Sequence, residues 1–291
     1  MNGGPPSPPM LGGVAHSRHR GLSVGRCADI SDSPQHGGAG GAVPTLSHFA
    51  PRIAALPPGE RLTKADLLIP DFLLHEAGRL AIYYAPFDYV NPAARVVLVG
   101  IAPGFRQMEI ALRGARDLLG AGEELTVVAE RVKYLASFAG PIRRFLVQML
   151  DGIGLAQALG IATCADLYGA RHDLLHTTAA VRHPVFVGGK DWNGHTPPAR
   201  RNPLLVRYVR EDMRAELAAV PDALVLTLGR CAEDAVQLLL DEGVLELARC
   251  LIGLPHPSGA NGRRYVQYAQ VRDDLTRRVA AWFTDQTPAT G

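Results

Sequence analysis

The chain has no apolar run of about 18 residues, the length a helix needs to cross a bilayer, so no membrane span is expected. Its start, "MNGGPPSPPMLGGVAHSRHRG", lacks the apolar stretch of a secretory signal, and a cytoplasmic location follows as the expectation. A C-x-x-C pair is also missing. Cys27, Cys164, Cys231 and Cys250 are scattered, which argues against a zinc site or a cluster held by four thiolates; three of them read as buried thiols and Cys27 falls in a tail. Strong charge of one sign is lacking too. With a net charge of +2, any affinity for nucleic acid has to come from local patches rather than a global field.

What is present is a large apolar fraction, 47% of 291 residues, enough for a substantial core. It is unevenly spread. Residues 1–45 are dense in Gly, Pro, Ser and His and cannot bury enough surface to offset their ordering entropy, so this segment is expected to be disordered. The last residues, 286–291, read as a flexible C-terminus, and 46–285 as one domain without internal repeats.

Four short apolar runs read as strands: "RVVLVG" (95–100), "LLHTTAAV" (174–181), "ALVLTLG" (223–229) and "CLIGLP" (250–255), the second being the most polar. Helical patterns separate them. Ile142, Phe145, Leu146, Met149, Leu150 and Ile153 recur at helical spacing behind Pro141. Val206, Val209, Met213 and Leu217 do so behind the start signals Asn202 and Pro203. "CAEDAVQLLLDEG" follows the third strand and stops at a glycine. Alternation of this kind predicts a three-layer α/β/α fold around a mainly parallel four-stranded sheet. Sites in such sheets lie beyond the C-terminal strand ends, which here read "GIAPGF", "AVRHP", "GRC" and "HPSGANG".

Taken in order, these segments resemble the uracil-DNA glycosylase superfamily. "VVLVGIAPG" resembles its first strand and loop, "SFAGPIRRFLVQMLDGIGL" the segment with a base-stacking phenylalanine, and "HTTAAVRHP" the pyrimidine-reading strand. "RNP" through "ALVLTLGRCAEDAV" resembles the next helix and strand, and "LPHPSGAN" the histidine loop, so the resemblance spans about Val96 to Asn261. It implies an enzyme that cleaves the bond between a base and its deoxyribose, with DNA as partner, no metal, no cofactor, and a base flipped out of the stack. A monomer is expected.

The resemblance makes His256 the donor to a pyrimidine carbonyl oxygen as negative charge grows there. Phe138 becomes the stacking platform, worth roughly 1–3 kcal/mol. Ser258 and the backbone of Gly259 to Asn261 would hold phosphate, with Arg263 and Arg264 adding charge. Arg200 and Arg201, in the long Gly/Pro-rich loop 183–203 with Lys190, Trp192 and His195, are further DNA contacts. Each has a plainer alternative: a loop-satisfying histidine, a core phenylalanine, solvated arginines, a packed tryptophan.

Three departures stand out. Family members commonly carry Asp, Glu or Asn after the first glycine of the first loop, where this chain has Ile101 and Ala102, although one branch is also apolar there. Gln107 and Glu109 are the candidates to substitute, Gln107 to orient water and Glu109 as a base, against the alternative of a solvated helix carboxylate. Asp88 and Asn91 precede the first strand and should lie at the far end of the sheet. The uracil-reading asparagine is replaced by His176 or Thr177, depending on register. The connection Phe105 to Ser137 is 33 residues long, longer than in compact members, and can cover or enlarge the pocket. Together these suggest a base other than plain uracil, such as a bulky modified pyrimidine of viral DNA. Three other readings stay open: a DNA-binding relative without chemistry, an ordinary uracil-excising repair enzyme, and an unrelated nucleotide-binding enzyme, the last disfavoured because "GIAPG" is neither G-x-G-x-x-G nor a P-loop.

Overall fold

The computed structural model describes residues 45–285, together with Gly4. The segment expected to be disordered (but for Thr45 and Gly4), Cys27 and the C-terminus 286–291 lie outside the described residues. In chain order the helices are α1 (Leu46–Ala54), α2 (Lys64–Leu67), α3 (Phe105–Gly120), α4 (Leu125–Ala136), α5 (Pro141–Gly152), α6 (Leu155–Leu159), α7 (Pro203–Tyr208), α8 (Arg214–Ala218), α9 (Arg230–Asp241) and α10 (Arg264–Asp285). The strands are β1 (Leu73–Ala77), β2 (Leu80–Tyr83), β3 (Val96–Gly100), β4 (Leu175–Ala179), β5 (Val185–Val187), β6 (Lys190–Asp191), β7 (Leu224–Leu228) and β8 (Cys250–Leu254).

β4, β3, β7 and β8 form the central sheet in that order, every pairing parallel. All residues of β3, β4 and β7 are buried, because helices cover both faces. The period-2 alternation of a strand divides them between two cores. Val97, Val99 and Val225 pack under α7 and α9. Val96, Leu98, Leu224 and Leu226 pack under α5, α6 and α10. The chain runs from β3 outward to β4 and then returns to β7 on the other side. The crevice between the C-terminal ends of β3 and β7 is therefore the topological switch point where such sheets bind ligands.

A second, antiparallel sheet, β1-β2-β5-β6, adds to the expected architecture. The loop read as irregular at 183–203 contains the β5–β6 hairpin, turned by Gly188 and Gly189 at φ 57° and 74°, the left-handed pair that a two-residue hairpin needs. The long connection after the first loop is helical: α3 and α4 pack with α1 around Met108, Leu112, Val128 and Val132. α7 continues through a π-helical stretch, Val209–Met213, into α8. Its inner face carries Asp212 and Glu216 alongside the expected Val209, Met213 and Leu217, while Val206 is only partly buried. The three described cysteines are buried and free.

Candidate active site

A cavity of 1320 Å³ opens at the switch point. Its wall is built by the loop after β3, the turn between α4 and α5, the end of β4, the segment around β6, the start of α9 after β7, the loop after β8 and the first turns of α10.

The loop after β3 runs Ile101 to Gly104 along the wall and ends at the start of α3. Gln107 lines the cavity, but its side chain is engaged with backbone. Its Oε1 accepts from the Gly104 N–H at 3.1 Å, and its Nε2 donates to the Ala139 carbonyl at 3.4 Å. It thus ties the first loop to the turn that carries Phe138. Glu109 is not brought to the cavity. It is paired with Arg113 at 2.7 Å and accepts from the Leu62 N–H at 3.3 Å, because two residues beyond Gln107 it stands on roughly the opposite face of α3. Its reading as a catalytic base is corrected accordingly.

Phe138 has φ 52°, the left-handed region that non-glycine residues seldom occupy. Its ring lies against Gly100, where an added Cβ would stand 3.3 Å from Phe138 Cε1. The preceding Ser137 hydroxyl shares a 2.8 Å hydrogen bond with the Thr177 hydroxyl, and Arg143 donates to the Ser137 carbonyl at 2.6 Å. Phe138, Ser137, Thr177 and Thr178 all face the cavity, and the Thr178 hydroxyl is buried without a partner among the described residues.

This resolves the register left open on β4. Thr177 faces the cavity, whereas His176 is turned away and bonds Glu216 at 2.9 Å. His176 as a base reader is corrected for that reason. It belongs to a buried ionic cluster that the sequence reading did not single out. Lys133 donates to the carbonyls of Phe87 and Tyr89 at 2.9 and 2.7 Å and stands 3.5 Å from Glu216. Arg182 lies 3.3 Å from Glu216 and 3.5 Å from Asp212. Burial disfavours the charged form of each: it lowers Lys133 and raises Asp212 to about 6, while for Glu216 the Lys133 charge and the His176 bond outweigh burial and hold its carboxyl low. Lys133 and Arg182 reach the cavity wall. Asn91 caps the opposite end of β4 by donating to the carbonyls of His172, Asp173 and Leu175, as its position before β3 suggested. Asp88 is taken up by the Tyr84 hydroxyl at 2.5 Å and the Leu46 N–H at 2.9 Å.

The loop after β8 brings His256, Ser258, Gly259 and Asn261 to the cavity. Gly229 permits this. It has φ 83°, and a Cβ there would stand 2.7 Å from His256 Cβ. Burial, helped by His195, lowers the pKa of His256 to about 4, so the ring is neutral at pH 7. The Ser258 N–H donates to Nδ1 at 3.4 Å, which leaves the ring proton on Nε2. Asn261 braces the loop: its Nδ2 donates to the His256 carbonyl at 3.2 Å and to Gln267 at 2.9 Å, and its Oδ1 accepts from the Arg263 N–H at 3.2 Å.

Arg263 is exposed beside this loop, and Arg264 stacks on Tyr265 and Phe145 at 4.6 and 5.1 Å; neither lines the cavity. Arg200 and Arg201 are not brought to it either, and Arg200 is paired with Asp241 at 2.7 Å. Trp192 does border the cavity, but it is buried in the core with its indole N–H on the Pro197 carbonyl at 3.0 Å. Among the described residues no cluster of three or more His, Cys, Asp or Glu could hold a metal ion, and no helix is long and apolar enough to cross a membrane.

Phe138, from the turn between α4 and α5, and the neutral His256, from the loop after β8, thus meet at the C-terminal end of a parallel sheet. Residues 87–276, more than half of the chain, match the model of the uracil DNA glycosylase superfamily. The chain is also 39% identical over 239 residues to the Bacillus subtilis (strain 168) protein "Uncharacterized protein YoxB", covering 81% of this chain and 93% of that protein. The chain belongs to the uracil DNA glycosylase superfamily, whose chemistry is base excision from DNA by hydrolysis.

Proposed function

We propose that this protein is a monofunctional DNA glycosylase, acting as a monomer in the cytoplasm, that flips a base into the cavity, hydrolyses its N-glycosidic bond and leaves an abasic site. Phe138 stacks on the flipped base. The neutral His256 donates from Nε2 to a ring carbonyl oxygen as the bonding electrons move onto the base. Ser258, Gly259 and Asn261 hold the flanking phosphate, with Arg263 at the rim.

The substrate is a damaged or modified pyrimidine rather than plain uracil. The observation that carries this is the reading position. Thr177 and Ser137 offer rotatable hydroxyls, each able to donate or accept, where a carboxamide would match uracil's fixed imide edge. The cavity, at 1320 Å³, also exceeds the roughly 300–1000 Å³ of ordinary small-molecule sites. A hypermodified base of viral DNA, removed in defence, fits such a pocket. A second reading, a DNA-binding relative without chemistry, is favoured by the apolar Ile101 and Ala102 in the first loop.

The test is a set of end-labelled duplexes carrying uracil, 5-hydroxymethylcytosine or its glucosylated form, incubated with the protein and then treated with alkali. Strand cleavage at a substituted pyrimidine, exceeding that at uracil, is expected. Tight binding without alkali-labile sites on any duplex supports the second reading.

A further inference from the structure

Breaking the bond between a base and C1′ leaves positive charge on the sugar, and a nearby carboxylate lowers the energy of that charge. The first loop supplies none, since Ile101 and Ala102 are apolar and Gln107 is engaged with backbone. The cavity wall nevertheless holds two carboxylates among the described residues, Asp191 and Glu233. Glu233 sits on the first turn of α9, and burial raises its pKa, which disfavours the charged form needed here. Asp191 comes from the β5–β6 hairpin and is exposed to the cavity. Its Oδ1 accepts from the Phe105 N–H at 3.1 Å, and its Oδ2 lies over Gly104, so close that a Cβ there would be 2.7 Å from it. It forms no ion pair among the described residues. The second sheet therefore delivers a free carboxylate onto the first loop from 86 residues further along the chain.

We infer that Asp191 is a catalytic residue of the hydrolysis proposed above, on which this assignment rests. As the C1′–N bond breaks, its electron pair leaves with the base, whose carbonyl oxygen is held by His256. The Asp191 carboxylate faces the sugar cation and orients a water. The water oxygen bonds to C1′, one of its protons passes to Asp191, and that proton then moves to the departed base through solvent. The products are the neutral base and a hemiacetal abasic site, with one water consumed.

The test uses the full-length protein and two duplexes that need no knowledge of the base. One contains a single cationic pyrrolidine in place of the sugar; the other contains the neutral tetrahydrofuran. The wild type is expected to bind the cationic duplex about tenfold more tightly. Asp191→Asn keeps an acceptor for the Phe105 N–H, so it preserves the start of α3. It should abolish that preference while leaving tetrahydrofuran binding unchanged, and Asp191→Glu should restore part of it. On any DNA from which the wild type releases a base, Asp191→Asn should slow single-turnover release on the order of 10²-fold. A preference and a rate that survive in Asp191→Asn overturn the assignment while the glycosylase reading stands. Loss of preference in Glu233→Gln alone moves the role to Glu233 and likewise overturns it. No release from any DNA by the wild type removes the glycosylase reading and this assignment with it.

Discussion

The charge state of His256 is the most exposed point of the chemistry. Burial beneath the Gly229 turn brings its pKa from 6.5 down to about 4. At about 1.36 kcal/mol per unit, that favours the neutral ring by roughly 3 kcal/mol, and at pH 7 on the order of one molecule in a thousand is protonated. The ring therefore acts as a neutral Nε2–H donor throughout the physiological range. Removing one such donor from a site of growing negative charge costs about 10²–10³ in rate. Single-turnover base release measured from pH 5.5 to 8 should show no inflection near 6.5 that depends on His256. His256→Ala should lower release by that factor at every pH, with DNA binding retained. The same gap has a stability consequence of definite sign. Between pH 6.5 and 4 the native state binds fewer protons than the unfolded chain, so stability falls as pH drops through that window. An inflection near 6.5 that vanishes in His256→Ala refutes the buried neutral ring, and an unchanged rate in that variant removes its role.

Gly229→Ala should reproduce much of the His256→Ala loss, because the new methyl would stand 2.7 Å from His256 Cβ and the residue would be held at φ 83°; a melting curve shows whether the fold survives, and an unaltered release rate would mean the loop accommodates it. Phe138→Ala should weaken capture of the flipped base by roughly 1–3 kcal/mol, read as reduced affinity for a duplex with an unpaired pyrimidine; a variant that merely unfolds assigns Phe138 to the core. Asp212 holds its proton up to about 6 in the fold, against 3.8 for a free side chain, so the native state is weakened as pH rises from 4 through 6. Asp212→Asn should accordingly gain stability over the wild type by about 2–3 kcal/mol at pH 8 and little at pH 4, in urea denaturation; a difference that does not change with pH would contradict the burial argument.

The central sheet was legible because four short apolar runs, too short for buried helices, alternate with helical periodicity, as parallel strands buried on both faces do. Chain position placed Phe138 just after α4 and His256 just after β8, and both line the cavity. Glu109 misled because sequence proximity to the first loop says nothing of direction, and one turn of α3 carries it to Arg113. His176 and Thr177 are adjacent and point to opposite sides, so only the registered pairing of β4 with β3 separates them. The second sheet was missed although "VFVGGKD" holds the Gly-Gly signal of a two-residue hairpin, with valines on either side of a phenylalanine. That hairpin delivers Asp191, so the omission hid a cavity carboxylate as well. Lys133 lies on α4, Arg182 after β4, and Asp212 and Glu216 on the helix that runs from α7 into α8, and nothing in the sequence links these three segments. Only tertiary packing reveals them as one buried cluster.

The claim that this fold excises a base rests most directly on finding the base. Genomic DNAs that are unmodified, deaminated or rich in virally modified pyrimidines, incubated with the wild type and with His256→Ala, would be analysed for free bases by mass spectrometry. The account predicts a substituted or damaged pyrimidine released by the wild type and reduced at least a hundredfold in the variant. Equal release by both proteins, or none from any DNA that the wild type binds, would contradict it.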